Sequence, residues 1–276
     1  MHNVNANGAS IPALGLGTWT LKGDACAEMV SRALSVGYRH IDTARIYRNE
    51  AEVGAGLRAA GVARDEVFVT TKVWWTDNAP GDFERSTEAS LKDLGLDHVD
   101  LLMIHWPNPD IPLEETIGAL NAARCRGLAR HIGVANFPTG LLARAIELSD
   151  APLVADQVEY HPYLNQAKIL GMCRENGLAA VSYCPLFRAG GLFEEPAVQD
   201  AAARHGKTPG QVVLRWHVQQ EGGVAIPRTT RPERLVENIS IFDFALSEQE
   251  MAAISALGDA NHRICDYDFS PQWDSV

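Results

Sequence analysis

Residues 95–106 read GLDHVDLLMIHW: a glycine, a short polar step, then an apolar run that stops at a histidine, His105. The run is too short for a helix and has no apolar/polar alternation, as in a parallel strand covered on both faces. The same phrase recurs along the chain. Gly37 leads into YRHIDT, Gly61 into VFVTTK, Gly127 into HIGVAN, Gly177 into LAAVSYC, and Gly222/Gly223 into VAIPR. LVADQVEY is a further run of this kind, and LGLGT near Leu14 to Thr18 is a weaker one. A glycine just past a helix suits the left-handed residue that closes it. Between the runs lie helical spacings such as Ala27, Val30 and Leu34, or Met251, Ile254 and Leu257. Thr208-Pro209 with Gln211, and Ser247 with Glu250, have capping-box spacing.

Eight strands alternating with helices predict a (β/α)8 TIM barrel, the alternative being a doubly wound open sheet. No low-complexity linker interrupts the chain, so residues 1–276 are expected to form a single catalytic barrel. The opening HNVNANGASIPA predicts an N-terminal β-hairpin that closes the barrel's bottom. The long interval from Tyr183 to Val224 predicts an insertion, with extra helices in the C-terminal part.

Composition bounds the function. The chain has 24 Lys+Arg against 35 Asp+Glu, a net charge of −11, which argues against a nucleic-acid partner. No apolar stretch is long enough to span a bilayer, and MHNVNANGAS lacks the features of a secretory signal. The five cysteines are widely spaced and odd in number, which predicts free thiols and a cytoplasmic protein. The nine histidines and five cysteines show no close paired spacing, so no metal site is expected. Few loops look long enough for a large interface, which favours a monomer.

Barrel enzymes carry their active-site groups at the C-terminal ends of the strands. Those ends here are Asp42, Lys72, His105, Asn136, Gln157 to Glu159, Tyr183 and Arg228. Lys72 stands out as one of only five lysines. With Tyr47 in the loop after Asp42, the groups make sense as a hydride-transfer site. Tyr47 would give a proton to a carbonyl oxygen, Lys72 would supply the nearby cation a tyrosine needs, Asp42 would orient that lysine, and His105 would give a second hydrogen bond. Two competing readings remain: a barrel hydrolase using two carboxylates such as Asp42 and Glu159, and a nucleotide-sensing barrel with little turnover. Gly54, Gly56 and Ala59 spell GxGxxA, but they follow a helix-like stretch, so a dinucleotide loop is rejected.

On these motifs the sequence resembles the aldo-keto reductase superfamily over nearly its whole length. GYRHIDTARIYRNE carries Asp42 and Tyr47, TTKVW the lysine and MIHWP the histidine, and GVANF, QVEYHP, SYCPL and IPRTTRPERLVEN follow in the family's order. The closing SPQWD resembles the tail of bacterial members such as 2,5-diketo-D-gluconate reductase and methylglyoxal reductase. The resemblance implies an NADPH-dependent reductase of small aldehydes, α-dicarbonyls or keto-sugar acids. It implies that Asn136 and Gln157 hold the carboxamide, Tyr183 stacks on the nicotinamide and Leu186 lies along the pyrophosphate. Arg228, Thr229, Arg234, Glu237 and Asn238 would take the adenosine 2′-phosphate and adenine. Trp19, Trp74 and Trp106 are candidates for an aromatic cup around the substrate. Four positions depart from the commonest family pattern. Ala135 and Cys184 replace serines, Arg228 replaces a lysine while keeping NADPH preference and allowing some NADH use, and Arg48 replaces a glycine. Arg48 and Arg45 are the candidate partners for an anionic substrate.

Overall fold

The glycines that precede the apolar runs do end helices in the computed structural model, which describes residues 1–275. Gly95 is the clearest case. At φ 69° and ψ 39° it closes α3 (Asp82–Leu94), its N–H bonding back to the carbonyls of Leu91 and Lys92.

The runs form eight parallel strands: β3 (Leu16–Gly17), β4 (His40–Asp42), β5 (Phe68–Val73), β6 (Val99–Ile104), β7 (Ala129–Ala135), β8 (Leu153–Glu159), β9 (Ala179–Tyr183) and β10 (Gly223–Ala225). Each pairs with its neighbours in sequence order. The ring closes where Leu14 bridges Ala225; the Gly15 amide donates to the Ala225 carbonyl and the Ala225 amide to the Ala13 carbonyl, both at 2.9 Å. The last strand is shorter than the run VAIPR predicts. It ends at Ala225, and Arg228 lies beyond it, exposed.

Below the ring sits the hairpin of β1 (Asn3–Ala6) and β2 (Ala9–Pro12), turned at Asn7 and Gly8. Both turn residues have positive φ, 44° and 90°, as a two-residue hairpin turn with the strands' twist requires. Its Ala6, Ala9 and Ile11 plug the interior cluster of Phe68, Leu101, Met103, Val181 and Val224.

Around the ring run α1 (Gly23–Ser35), α2 (Glu50–Ala59), α3, α4 (Leu113–Cys125), α5 (Thr139–Leu148) and α6 (Ala167–Glu175). The long interval before β10 holds both α7 (Pro196–His205) and α8 (Pro209–Gln219), and α9 (Glu233–Ile239) and α10 (Glu248–Ser255) follow it. The capping boxes at Thr208/Gln211 and Ser247/Glu250 start α8 and α10. Gly54 and Gly56 serve packing: a Cβ on Gly54 would collide with the Leu94 carbonyl and one on Gly56 with the Ala27 carbonyl.

Strand alternation positions the site. His40, Phe68, Thr70, Leu101, Met103, Ala155, Ala179 and Val181 occupy one parity on their strands, and most of them join the interior cluster or bond across it. Continuing that parity to the C-terminal end of each strand reaches Asp42, Lys72, His105, Gln157 and Tyr183.

Candidate active site

Lys72 and Asp42 form the floor of the mouth. The Lys72 Nζ donates to Asp42 Oδ1 at 2.5 Å and to the Thr43 carbonyl at 2.9 Å; Gln157 Nε2 donates to Asp42 Oδ2 at 2.8 Å. Both charged side chains are out of solvent, at 0% and 2% exposure, so the pair survives only because almost every polar atom has a partner. Burial pushes the Lys72 ammonium below its ordinary value, and Asp42 works against that shift.

Tyr47 reaches this pair from the loop after β4. A short 3-10 turn, Arg45–Tyr47, ends at Arg48 in the left-handed region, φ 52°. For a residue with a Cβ that conformation costs roughly 1–2 kcal/mol, which explains why a glycine suits the position. Two contacts hold the loop despite this. Lys22 Nζ donates to the Tyr47 carbonyl, and buried Asn49 accepts from Thr43 Oγ1 at 2.9 Å and donates to the Thr18 carbonyl at 2.8 Å. Neither Lys22 nor Asn49 was a candidate in the sequence; their parts depend on contacts between distant segments.

The half-buried Tyr47 ring lies with its centroid 5.4 Å from Lys72 Nζ and 5.6 Å from the His105 ring. Burial first, and then the charge of Asp42, hold the phenol well above its ordinary value. The lysine's charge is already engaged by Asp42 and Thr43. Tyr47 is therefore a protonated phenol near neutrality, ready to donate. His105 is held well below its ordinary value by burial and then by Lys72, so its imidazole is neutral. Its Nδ1 is buried without a hydrogen-bond partner.

On the opposite side of the mouth, Asn136 departs from strand parity through a left-handed φ of 63°, which asparagine tolerates. Its Nδ2 donates to the His105 carbonyl at 2.9 Å, and its Oδ1 accepts from the Tyr183 hydroxyl at 2.7 Å. Tyr183 is half-buried, and Leu186, in the loop that follows it, is half-buried and packs against the core. The arginine group lies further round, after β10. Arg228 is exposed, Thr229 bonds the Arg231 backbone, and Asn238 is buried on α9. Arg234 is paired with Glu237 Oε1 at 2.8 Å, and Glu237 also accepts from Thr208 Oγ1.

The C-terminal segment folds across the mouth, a feature with no periodic signature in the sequence. Phe269 stacks on Trp75 (5.4 Å) and meets Trp74 and Trp106 edge-on at 5.6 and 5.4 Å; Tyr267 and Trp273 also face Trp106. Two carboxylates pin it. Glu159 accepts from the amides of Ile264 and Cys265, both at 2.6 Å, and from His161 at 2.9 Å. Burial would raise Glu159, but these bonds more than offset it and bring the carboxyl below its ordinary value. Asp274 caps α5, accepting from Thr139 N–H at 3.0 Å and Thr139 Oγ1 at 2.6 Å. Trp74 and Trp106 thus share one aromatic cluster, whereas Trp19 stands apart, 44% exposed, with Arg188 over its ring at 5.6 Å. Between the loop after β4, the start of α2 and the loop after β5 lies a pocket of about 500 Å³ lined by Arg45, Arg48, Glu50, Trp74 and Asp77. Among the described residues no His, Cys, Asp and Glu side chains group as a metal site, and no helix is long and apolar enough to cross a membrane.

The aldo/keto reductase family profile matches residues 13–259. The chain belongs to the aldo/keto reductase family. It is 42% identical to an aldo-keto reductase of Mycobacterium sp. (strain MCS) over 92% of this chain and 89% of that one. It is 39% identical to the methylglyoxal reductase DkgB of Yersinia pestis over 96% of this chain and all of the relative. A crystal structure provisionally described as a 2,5-diketo-D-gluconic acid reductase B matches 100% of this chain and 98% of its own, with TM-score 0.97 and 46% identity. A Bombyx mori aldo-keto reductase solved in complex with NADP matches at TM-score 0.89 and 36% identity, covering 96% and 94%.

Membership in this reductase family overturns the hydrolase reading, and the geometry gives the reason: Glu159 is consumed in holding the C-terminal segment, and Asp42 in holding Lys72. It also puts the departures in context. Ala135 is buried in the barrel wall, where it offers no hydroxyl to the mouth. Arg45, one candidate anion partner, is taken up by Glu50 and Asp93, whereas Arg48 has no ion pair among the described residues.

Proposed function

We propose that the chain is an NADPH-dependent reductase of small aldehydes and ketones, in which Tyr47 is the general acid. The observation that carries this reading is the packing of one protonated phenol against both an ammonium and a neutral imidazole at the C-terminal rim of the barrel. The donor set fits a nicotinamide dinucleotide phosphate. Gln157 uses its amide nitrogen on Asp42, leaving its carbonyl oxygen for a carboxamide N–H₂, and Tyr183 offers a flat ring whose tilt is fixed through Asn136. Arg228 is exposed and unpaired among the described residues, and Arg234 is held ready by Glu237; two guanidinium groups suit a 2′-phosphate. Thr229 and Asn238 complete that end and Leu186 the middle. Bound NADPH supplies the hydride.

The chain's own residues handle the other half of the reaction. Tyr47 passes its proton to the carbonyl oxygen as negative charge grows there. Lys72 then stabilises the phenolate that remains, a role its position near the ring allows while Asp42 keeps it oriented. His105, being neutral, gives a hydrogen bond to the same oxygen and no proton. Trp74, Trp106 and the crossing Phe269 exclude water and favour compact substrates. Trp19 lines the far edge with Arg188. Arg48 is the group best suited to a carboxylate on the substrate, which supports keto acids beside α-dicarbonyls such as those the methylglyoxal reductase relatives are named for.

Tyrosine and tryptophan fluorescence during NADPH titration, followed by a panel of methylglyoxal, aromatic aldehydes and keto-gluconates, tests this reading. Saturable quenching with turnover of a panel member is the expected result. Binding without turnover of any carbonyl would favour the sensor, and absence of NADPH binding would refute the proposal.

A further inference from the structure

Asn49 stands at the start of α2, where an asparagine side chain ordinarily caps the first turn of the helix. Here it makes no cap. The side chain is fully buried and spends its bonds on two loops of the mouth instead. Its Oδ1 accepts from Thr43 Oγ1 at 2.9 Å, and its Nδ2 donates to the carbonyls of Thr18 at 2.8 Å and Leu21 at 3.0 Å. The helix therefore forgoes the stabilisation of its best-suited cap so that this side chain can serve the loops.

Two of the three partners lead straight to the floor pair. Thr43, whose hydroxyl bonds Asn49, offers its carbonyl to Lys72 Nζ at 2.9 Å. Thr18, whose carbonyl bonds Asn49, gives both its N–H and its Oγ1 to the Asp42 carbonyl, each at 3.0 Å. The Thr43–Asn49 bond also closes residues 43–49 on themselves, with Tyr47 and the left-handed Arg48 inside the closed stretch.

We propose that Asn49 is a positioning residue for the proton transfer, fixing the Tyr47 ring against Lys72 and His105 by tying its loop to the residues that hold both charges of the floor. The proposal rests on the reading of this mouth as the reductase site. Asn49 meets no reacting group and acts through the loop alone. The placement it keeps is that of a ring centroid 5.4 Å from Lys72 Nζ and 5.6 Å from the His105 ring. Lys22 bonds the Tyr47 and Arg48 carbonyls from the exposed side, a looser tie than three buried bonds. A shift of the phenol by about 1 Å can lower the rate by about 100-fold while every catalytic group stays in place.

Asn49→Ser separates this role from folding, because serine caps a helix about as well as asparagine but is too short to hold Thr43, Thr18 and Leu21 together. The expected result is a fall in kcat of about 10–100-fold, with KM for the carbonyl and the NADPH dissociation constant within about twofold of wild type. Solvent and cofactor deuterium isotope effects on kcat should rise, since a misplaced phenol makes the transfer step limiting. A mere loss of folded molecules would lower kcat and leave both isotope effects as they were. Thr43→Val cuts the same tie from its other end and keeps the Thr43 carbonyl on Lys72. It should act in the same direction, and the double variant should lose little more than Asn49→Ser alone. A kcat within about twofold of wild type, or a lower kcat with unchanged isotope effects, would overturn the proposal. NMR of protein carrying isotope-labelled tyrosine reads the ring without turnover, the Tyr47 signal being identified by its loss in Tyr47→Phe. Asn49→Ser should shift and broaden that signal, and an unmoved signal would also overturn the proposal. A wild type that reduces no carbonyl, with a Tyr47 signal that moves in Asn49→Ser, would count against the reductase reading and leave the positioning of the ring standing.

Discussion

Replacing Lys72 with Met separates the structural worth of the floor pair from its chemistry. The variant keeps the length of the side chain and removes the cation that holds Asp42 at 2.5 Å in a site where neither side chain is more than 2% exposed. Asp42 would keep only the Gln157 amide, at 2.8 Å, and the Thr43 carbonyl would lose its donor. Stranding a buried charge costs about 3–5 kcal/mol, and an orphaned carbonyl adds about 1 kcal/mol or somewhat more. Lys72→Met should therefore lose roughly 4–6 kcal/mol, the sum of those terms. Removing both charges in Asp42→Asn/Lys72→Met should recover most of the loss, leaving a deficit of about 1–2 kcal/mol. Urea unfolding of the wild type, both singles and the double measures all of this. A single variant within 1 kcal/mol of wild type, or a double as unstable as the single, would refute the reasoning.

Three further outcomes are expected. Asp156 is fully buried, neither carboxyl oxygen has a hydrogen-bond partner, and burial holds the group well above its ordinary value. Its folded value exceeds its unfolded one, so stability complete below the ordinary carboxyl range is lost as pH rises through the folded value. Asp156→Asn should then be more stable than wild type by about 1–3 kcal/mol at pH 8, with the gain fading towards pH 4 in urea titrations. Arg48→Gly should relieve the left-handed strain and hold or raise the melting temperature, while KM for a carboxylate-bearing keto substrate rises about fivefold and that for methylglyoxal does not. Arg234→Ala should raise the NADPH dissociation constant by roughly 10–100-fold and that for NADH by less than about twofold, the cost of one charge-assisted bond; equal effects in calorimetry would place the 2′-phosphate elsewhere.

The barrel was legible because it is written locally. Each glycine, apolar run and polar stop lies within a dozen residues, and strand parity carries that pattern to Asp42, Lys72, His105 and Gln157. What was illegible depends on distant segments meeting. DYDFSPQW is rich in aromatic residues, a signal in principle, but nothing local says that Phe269 comes to rest on Trp74 and Trp75. Glu159 looked like a catalytic carboxylate because it ends a strand; only the amides of Ile264 and Cys265 reveal that it anchors the tail. Trp19 was grouped with Trp74 and Trp106 by its position after a strand, yet its neighbour is Arg188. The surroundings of Tyr47 also escaped the sequence, since spacing shows that a lysine is near but not that burial holds the phenol well above its ordinary value.

The central claim is that Tyr47 gives the proton while the rest of the site binds cofactor without it. Tyr47→Phe removes one oxygen from a ring whose packing on His105 is apolar in character. The account predicts kcat for methylglyoxal or a related carbonyl reduced by at least about 100-fold, with the NADPH dissociation constant unchanged within about twofold. Near-normal turnover by the phenylalanine variant would contradict it.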